Sequence, residues 1–458
     1  MRKFEKFILS TVHNNRSELI VFLKELKKYY PEFNQKNFTK QRIYDSIHSG
    51  KMYKDDVMRR LSSNLFRLGE NFISFIMSEK DKFNYEKNLL EFYSIRKSDK
   101  FFLNHLEIIE ELTEEQNYRD GQYFYNKNII NEIERKYMQK FDPTYKKSGY
   151  EKQIINLWKY TLTELQRVYA FAEYEIYFFN KNYDLKYLET LIDISERSDF
   201  MNSETVEMYC LSLKLYGNKS DEITFLRLKD LIEKNISFFP KEECFNFYIH
   251  LINYCNITEL KEGKSTVKVK FDLVLKIVEY ELMCINGYID PGWFRGIFFM
   301  AFNAGEIGFA GKFLDKYKTF LTGKDCVNIV NHAYAQLSIF NKDYDNALKF
   351  LESASYKHIN DKWMIKNMYL KIFYETGKYE EFKYCTDSIK HMIKEEGSWN
   401  DNLIIPIRNF MKISTKLFRA RLGELNISAD EIKKEILNTK VIGRNWLISK
   451  ADELENPA

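Results

Sequence analysis

The stretch from Asn331 to Ala354 constrains the fold most, because its pattern is that of two short helices joined by a tight turn. Apolar residues recur at helical spacing on both sides of Asn341–Tyr344, where polar residues mark the turn. A weaker copy of this pattern ends near Ile389. The turns at 305–307, 341–344 and 377–379 follow one another about 35 to 37 residues apart. A period of this length predicts helix pairs stacked in series.

Residues that interrupt helices are scarce along the whole chain. Its 458 residues include only six prolines and 17 glycines. Because strands and tight turns need more of both, the sequence predicts an all-α protein of long helices and short connections. The aromatic share of 16% gives enough apolar area to bury, so a disordered chain is not expected.

Three zones are predicted along the chain. Residues 1–80 form a basic three-helix module, with helices around Glu18–Tyr30, Lys40–Ser49 and Asp55–Phe75. Residues 81–150 form a helical connecting region that ends in an interruption at Asp142–Gly149. Residues 151–458 form an α-solenoid of helix pairs with capping helices at the carboxyl end. Capping-box patterns predict helix starts at Thr113–Gln116 and Ser428–Glu431.

The segment 291–390 resembles divergent tetratricopeptide repeats. Small residues that let paired helices approach closely in that family are matched by Ala335, Ala347 and Ala354. Tyr344 stands at the turn and Leu351 between the small residues. The resemblance implies an α-solenoid that binds other proteins.

In tetratricopeptide arrays, the first helix of each repeat lines a groove that binds peptides. Carried over to this chain, the resemblance places six residues on that groove: Arg295, Phe299, His332, Gln336, Asn367 and Lys371. Such a lining could hold an acidic or extended peptide by charge-assisted hydrogen bonds. Mixed polar residues would equally line a groove that binds nothing. Aromatic runs such as Phe298–Met300 and Tyr177–Phe179 are interpreted as core between helix pairs.

The amino-terminal zone is the basic part of a chain whose formal net charge is +4. Residues 1–70 hold about 15 Lys and Arg against about 8 Asp and Glu. On the third predicted helix, Val57, Leu61, Leu65, Leu68 and Phe72 would face inward, leaving one polar stripe: Arg60, Asn64, Arg67 and Asn71. The spacing resembles a helix-turn-helix, so this stripe could contact nucleic acid. A solvated helix face explains it as well.

The same zone is similar to the start of a group of uncharacterised bacterial helical proteins. The similarity lies in Tyr29–Phe33, Phe38–Lys40 and Met58–Leu68. It implies no activity, only that the amino-terminal helices and the downstream array recur together.

No local pattern predicts a catalytic or metal site. The seven histidines are isolated from one another, at positions His13, His48, His105, His250, His332, His358 and His391. Gly263–Ser265 resembles the end of a phosphate loop, but Thr258 stands where that loop needs glycine. We therefore predict no enzyme, no cofactor and no metal.

Compartment is predicted from three further features. Met1–Val12 carries charges among its apolar residues, unlike a secretory signal. No apolar run reaches the roughly 18 residues of a membrane span. The six cysteines form no C-x-x-C pair, which favours reduced thiols. The sequence thus predicts a cytoplasmic protein without a membrane partner.

These observations predict a scaffold or adaptor that binds a protein or peptide along the concave face of a solenoid. The alternative is a regulator that binds nucleic acid through the amino-terminal module, with the solenoid sensing a partner.

Overall fold

The computed structural model of this chain is all-α, as predicted. The described part comprises residues 2–33, 35–115, 117–141, 150–179, 181–197, 203–216, 221–262, 264–323, 326–352, 359–395 and 401–455. The predicted interruption at Asp142–Gly149 lies outside these residues, as do Asn180, Gly263, Ala354 and His358. Within them, the strands form one hairpin of two residues on each side.

Two compact units divide the chain. The first comprises residues 1–117 and 122–158, and the second comprises residues 118–121 and 159–458. The three predicted zones are a different division, and they stay a prediction.

The first unit begins with four helices around one apolar cluster: α1 (Arg2–Leu9), α2 (Ser17–Lys27), α3 (Lys40–Ile47) and α4 (Asp55–Lys80). The three predicted helices are present, and α1 precedes them. In α1, charged residues flank Phe4, and the apolar run Phe7–Leu9 follows them. Phe7 and Ile8 of this run are buried.

The apolar face of α4 agrees with its prediction. Leu61, Leu65 and Leu68 are buried, together with Met58, which was not predicted. Val57 and Phe72 are half-buried against the same cluster. The first half of α4 therefore supplies the core of this bundle.

The first unit continues with three further helices: α5 (Lys82–Arg96), α6 (Asp99–Glu115) and α7 (Gly121–Phe141). Leu90, Phe102, Ile109 and Ile130 are fully buried between them. The predicted capping box at Thr113 is wrong, because α6 continues through this residue. Thr113 is buried, and its hydroxyl donates to the carbonyl oxygen of Ile109 at 2.7 Å, which satisfies it inside the helix.

The helices between residues 150 and 279 belong to the second unit, except for the part of the first of them that precedes Lys159. They are α8 (Tyr150–Phe179), α9 (Leu188–Ser195), α10 (Glu204–Lys214), α11 (Glu222–Asn235), α12 (Lys241–Glu262) and α13 (Val267–Glu279). A short hairpin follows, with strands β1 (Cys284–Ile285) and β2 (Tyr288–Ile289). Asn286 and Gly287 form its turn with φ of 52° and 82°, the conformation that an Asn-Gly pair favours.

Three helix pairs then follow one another. They are α14 (Pro291–Asn303) with α15 (Ile307–Tyr317), α16 (Cys326–Phe340) with α17 (Tyr344–Glu352), and α18 (Ile359–Glu375) with α19 (Tyr379–Glu395). The helices of each pair pack on one another, α14 also packs on α16, and α16 on α18. Ala335 and Ala347 are fully buried between α16 and α17, where the sequence predicts close helix approach.

The turns inside these pairs share one geometry. Gly305, Lys342 and Gly377 have φ of 82°, 60° and 73°, in the left-handed region. After each of them, an amide N–H donates to a carbonyl oxygen five residues earlier, from Glu306 to Ala301 at 3.1 Å, Asp343 to Ser338 at 2.8 Å and Lys378 to Phe373 at 2.9 Å. This is the Schellman closure of a helix end. The positions of the three predicted turns are confirmed.

Three helices complete the described chain: α20 (Asp401–Arg421), α21 (Ala429–Asn438) and α22 (Arg444–Glu455). They share a cluster with α18 and α19 in which Phe410, Leu417 and Phe418 are fully buried. The predicted capping box at Ser428 is confirmed. Glu431 N–H donates to Ser428 Oγ at 3.2 Å, and Ser428 N–H donates to Glu431 Oε2 at 3.2 Å.

We expect Ser428→Ala to lower the free energy of unfolding by about 1 kcal/mol, because it leaves an amide at the start of α21 without its acceptor. Urea unfolding followed by circular dichroism measures this loss. Ser428→Asn is the matched control, since asparagine also caps helices, and it should stay close to the native chain. Equal losses in both variants would contradict a capping role.

Candidate functional site

The six predicted groove residues lie on three helices that contact in series. Arg295 and Phe299 lie on α14, His332 and Gln336 on α16, and Asn367 and Lys371 on α18. The ring centroids of Phe299 and His332 are 5.2 Å apart, so α14 and α16 bring their members together. We call this set the first-helix face.

His332 is the most buried member of the first-helix face, with 3% of its surface exposed. Burial, and secondarily the positive charge of Arg295, lower the pKa of His332 to about 4. The imidazole is therefore neutral at neutral pH. Because its ring packs inside the protein, contacts to a partner are left to the half-exposed residues around it, such as Arg295 and Gln336.

Asn367 offers an unused acceptor on the same face. Its side chain is half-buried, and its Oδ1 has no hydrogen-bond partner within the described part of the chain. Buried amide oxygens are normally paired, so this atom is an exception, and a bound peptide would reach it only where neighbouring side chains move aside.

Lys371, the last member of the first-helix face, is half-buried beside α22. Its Nζ lies 5.8 Å from the centroid of the Trp446 ring, and burial lowers the pKa of Lys371 to about 8 against the opposing effect of Glu375. Glu375 also accepts from Trp446 Nε1 at 3.2 Å and pairs with Lys450 Nζ at 2.7 Å. Side chains of α22 thus cover this end of α18. The sequence gives no sign of this contact, because Trp446 lies 71 positions beyond Glu375.

An open groove that the sequence does not predict lies between α18 and α19. Its volume is about 650 Å³. The apolar lining comes from Ile365, Tyr369 and Phe373 on α18 and from Tyr384 and Cys385 on α19. Tyr384 is 79% exposed, which is unusual for so large a ring. We call this feature the α18–α19 groove.

Charges of opposite sign mark the two ends of the α18–α19 groove. Lys362 and Lys366 lie at the end near the start of α18, where Lys366 Nζ donates to Ser388 Oγ at 2.7 Å. Glu380 and Glu381 lie at the other end. A second concavity of about 550 Å³ adjoins this end, and its lining mixes the two lysines with Asp387, His391 and Glu395. An apolar floor with polar ends of opposite charge suits an extended or helical peptide.

The stripe predicted on α4 lies on an outward face. Arg60, Arg67 and Asn71 are exposed and Asn64 is half-exposed. In the described residues, Arg60 and Arg67 form no ion pair, whereas the neighbouring Arg59 pairs with Asp55 at 2.6 Å. The stripe is thus available, and its binding to nucleic acid stays a prediction.

Histidines in the described part of the chain make local contacts. His250 Nδ1 lies 2.7 Å from the hydroxyl of Tyr216, which also accepts from Asn253 Nδ2 at 2.9 Å. His105 Nδ1 lies 2.6 Å from Glu86 Oε2. Across the described ranges, no group of three or more His, Cys, Asp and Glu residues is placed to hold a metal ion.

One further observation concerns membranes. None of the helices in the described ranges combines the length and the apolar character that crossing a bilayer requires.

Comparison of the chain with protein-family models, with curated proteins and with solved structures finds no match.

Proposed function

We propose that this chain is a non-catalytic scaffold that binds a protein or peptide partner on a solenoid of tetratricopeptide-like helix pairs. The α18–α19 groove carries the proposal, because it combines an apolar floor, an exposed aromatic ring and charged ends. The uniform turns of α14 to α19 support the solenoid. Under this proposal, the first-helix face adds contacts through Arg295, Gln336 and Asn367, and the protein acts in the cytoplasm.

A random dodecapeptide display library, selected on the purified full chain, tests the groove. We expect the selected peptides to share an apolar or aromatic residue followed or preceded by an acidic one, matching Tyr384 and Lys362. Synthetic copies should bind Tyr384→Asp and Lys362→Glu about tenfold more weakly or worse, since central aromatic contacts dominate most interfaces.

Ile223→Asp is the matched control, because Ile223 is 78% exposed and lies on α11, away from the groove residues in sequence. Equal binding to the control and to both groove variants would remove the groove from the proposal. A double variant, Arg295→Ala with Asn367→Ala, then separates binding at the first-helix face from binding at the groove.

The alternative function is a nucleic-acid-binding regulator, which the unpaired cations Arg60 and Arg67 favour. Fluorescence anisotropy of the full chain with a labelled 20-base-pair duplex tests it. Under this function, the affinity for the duplex should fall steeply as salt rises. It should also be lower in the double variant Arg60→Ala with Arg67→Ala. Absence of salt-dependent binding would dismiss it.

A further inference from the structure

The second half of α4 carries more apolar surface than its own bundle covers. All the buried residues of α4 lie between Met58 and Leu68, so the part of the helix beyond Leu68 has none. The second half carries Phe72, Ile73, Phe75, Ile76 and Met77 in quick succession. A helix that is apolar on several sides is normally covered on several sides.

Exposure along this half of α4 is high. Ile73 is 64% exposed, Met77 is 62% exposed and Phe75 is 40% exposed. Leu9 and Val12, at the end of α1 and just after it, are 58% and 85% exposed. Clustered exposed apolar residues of this kind mark interaction sites more often than scattered ones do.

Helix α1 covers only one side of this segment. The ring of Phe4 lies 5.2 Å from that of Phe72, and the ring of Phe7 lies 5.4 Å from Phe72 and 5.6 Å from Phe75. Beside these contacts, two adjoining concavities of about 520 Å³ and 300 Å³ run between α1 and α4. Both are lined by Lys3, Phe72 and Ile76, so they form one continuous feature, the α1–α4 groove.

The rim of the α1–α4 groove is basic. Arg2, Lys3 and Lys6 line it, and within the described residues none of these three cations forms an ion pair. Glu5 on α1 is engaged elsewhere, with Lys27 at 2.5 Å. Glu79 is the acidic residue of the described lining. The groove therefore presents a net positive rim above an apolar floor.

We propose that the α1–α4 groove binds an amphipathic helix of a partner protein that carries acidic residues at the border of its apolar face. The apolar face would cover Ile73, Phe75 and Met77, and the acidic residues would pair with Lys3 and Lys6. This surface lies in the first unit and is additional to the α18–α19 groove.

Charge and shape select this occupant over others. A second copy of the chain would bring the same three cations against one another, which repel. A duplex would use the cations but leave the apolar floor uncovered. A concave floor between two helices accommodates the ridge of a third helix better than a flat lipid surface.

The test uses a defined probe with the full chain. The probe is a fluorescein-labelled 18-residue amphipathic peptide with leucines on one face and glutamates at its borders, and its partner peptide has every glutamate replaced by lysine. We expect the glutamate peptide to bind at least tenfold more tightly, measured by anisotropy. Its affinity should fall as salt rises, because the cations lie at an exposed rim.

Two pairs of variants locate the site. Lys3→Glu with Lys6→Glu should weaken glutamate-peptide binding at least tenfold, whereas Lys51→Glu with Lys54→Glu, an equal charge change at exposed positions outside the groove, should alter it less than twofold. Ile73→Ser with Met77→Ser should weaken binding similarly, and Ile223→Ser should not. All four variants change exposed side chains, and circular dichroism checks that the helices persist.

Three outcomes would overturn the proposal. The first is equal binding of the glutamate and lysine peptides. The second is an equal loss in the groove variants and their controls. The third is co-sedimentation of the chain with phosphatidylserine vesicles, dependent on Lys3 and Lys6, without peptide binding, which would assign the surface to a membrane.

Discussion

Phe418→Ala is expected to lower the free energy of unfolding of the carboxyl-terminal cluster by about 3 to 5 kcal/mol. The side chain is fully buried, and its ring centroid lies 5.0 to 5.1 Å from three others, those of Tyr374, Tyr379 and Phe382. Removing it takes away buried apolar area and three aromatic contacts at once, and leaves a cavity. Helices α18 and α19 would both lose their contact with this ring of α20.

Hydrogen exchange resolved by mass spectrometry measures this loss locally, as faster exchange in peptides from α18, α19 and α20. Leu437→Ala is the matched control, because Leu437 belongs to the neighbouring α21 and is 59% exposed. It should cost no more than about 0.5 kcal/mol. A change below about 1 kcal/mol in Phe418→Ala would contradict the packing described for this cluster.

Acid should destabilise the second unit through two buried histidines. Burial lowers the pKa of His250 to about 4, and His332 has a pKa of about 4 for the same main reason. In the unfolded chain both are expected near 6.5. The unfolded state therefore binds protons that the folded state excludes. The contribution of each histidine is fully present above pH 6.5, is lost as pH falls toward 4, and changes no further below that.

The loss amounts to about 3 kcal/mol for each histidine across this window. Urea unfolding at pH 7.5, 5.5 and 4.5 measures it. Carboxylates also titrate in this range, so the comparison between variants is decisive. His250→Gln and His332→Gln should each be less stable than the native chain at pH 7.5 yet lose less stability on acidification, and the double variant should lose least.

His13→Gln is the control, since His13 is exposed. It should follow the native chain at every pH. Parallel pH profiles for the native chain and both buried-histidine variants would show that these rings are not held neutral by burial.

The elements that the sequence predicts well are those fixed by local chemistry. Gly305 and Gly377 are residues that enter the left-handed region without strain, so they mark turns in the sequence as well as in the structure. Leu61, Leu65 and Leu68 repeat at helical spacing and are buried. Ser428 and Glu431 form their capping box from residues three positions apart. None of these features needs a distant partner.

What the sequence does not predict depends on packing that its local patterns do not encode. Thr113 has the sequence of a cap, but it is buried inside α6, where its hydroxyl donates to the carbonyl oxygen of Ile109. Lys371 has the spacing of a groove residue, and the ring of Trp446, from a distant part of the chain, lies 5.8 Å from its Nζ. Ile365, Tyr369 and Phe373 repeat at helical spacing like any core face, and periodicity does not reveal that a groove remains open above them.

The contact between Glu375 and Lys450 joins residues 75 positions apart in the chain. While the protein is being synthesised, α18 emerges from the ribosome well before its partner helix does. At typical elongation rates the interval is about 4 to 15 seconds, long compared with the folding of a helix pair. During that time Glu375 and the ring of Tyr374 lack the indole that later covers them, so nascent chains should present this side of α18 to chaperones.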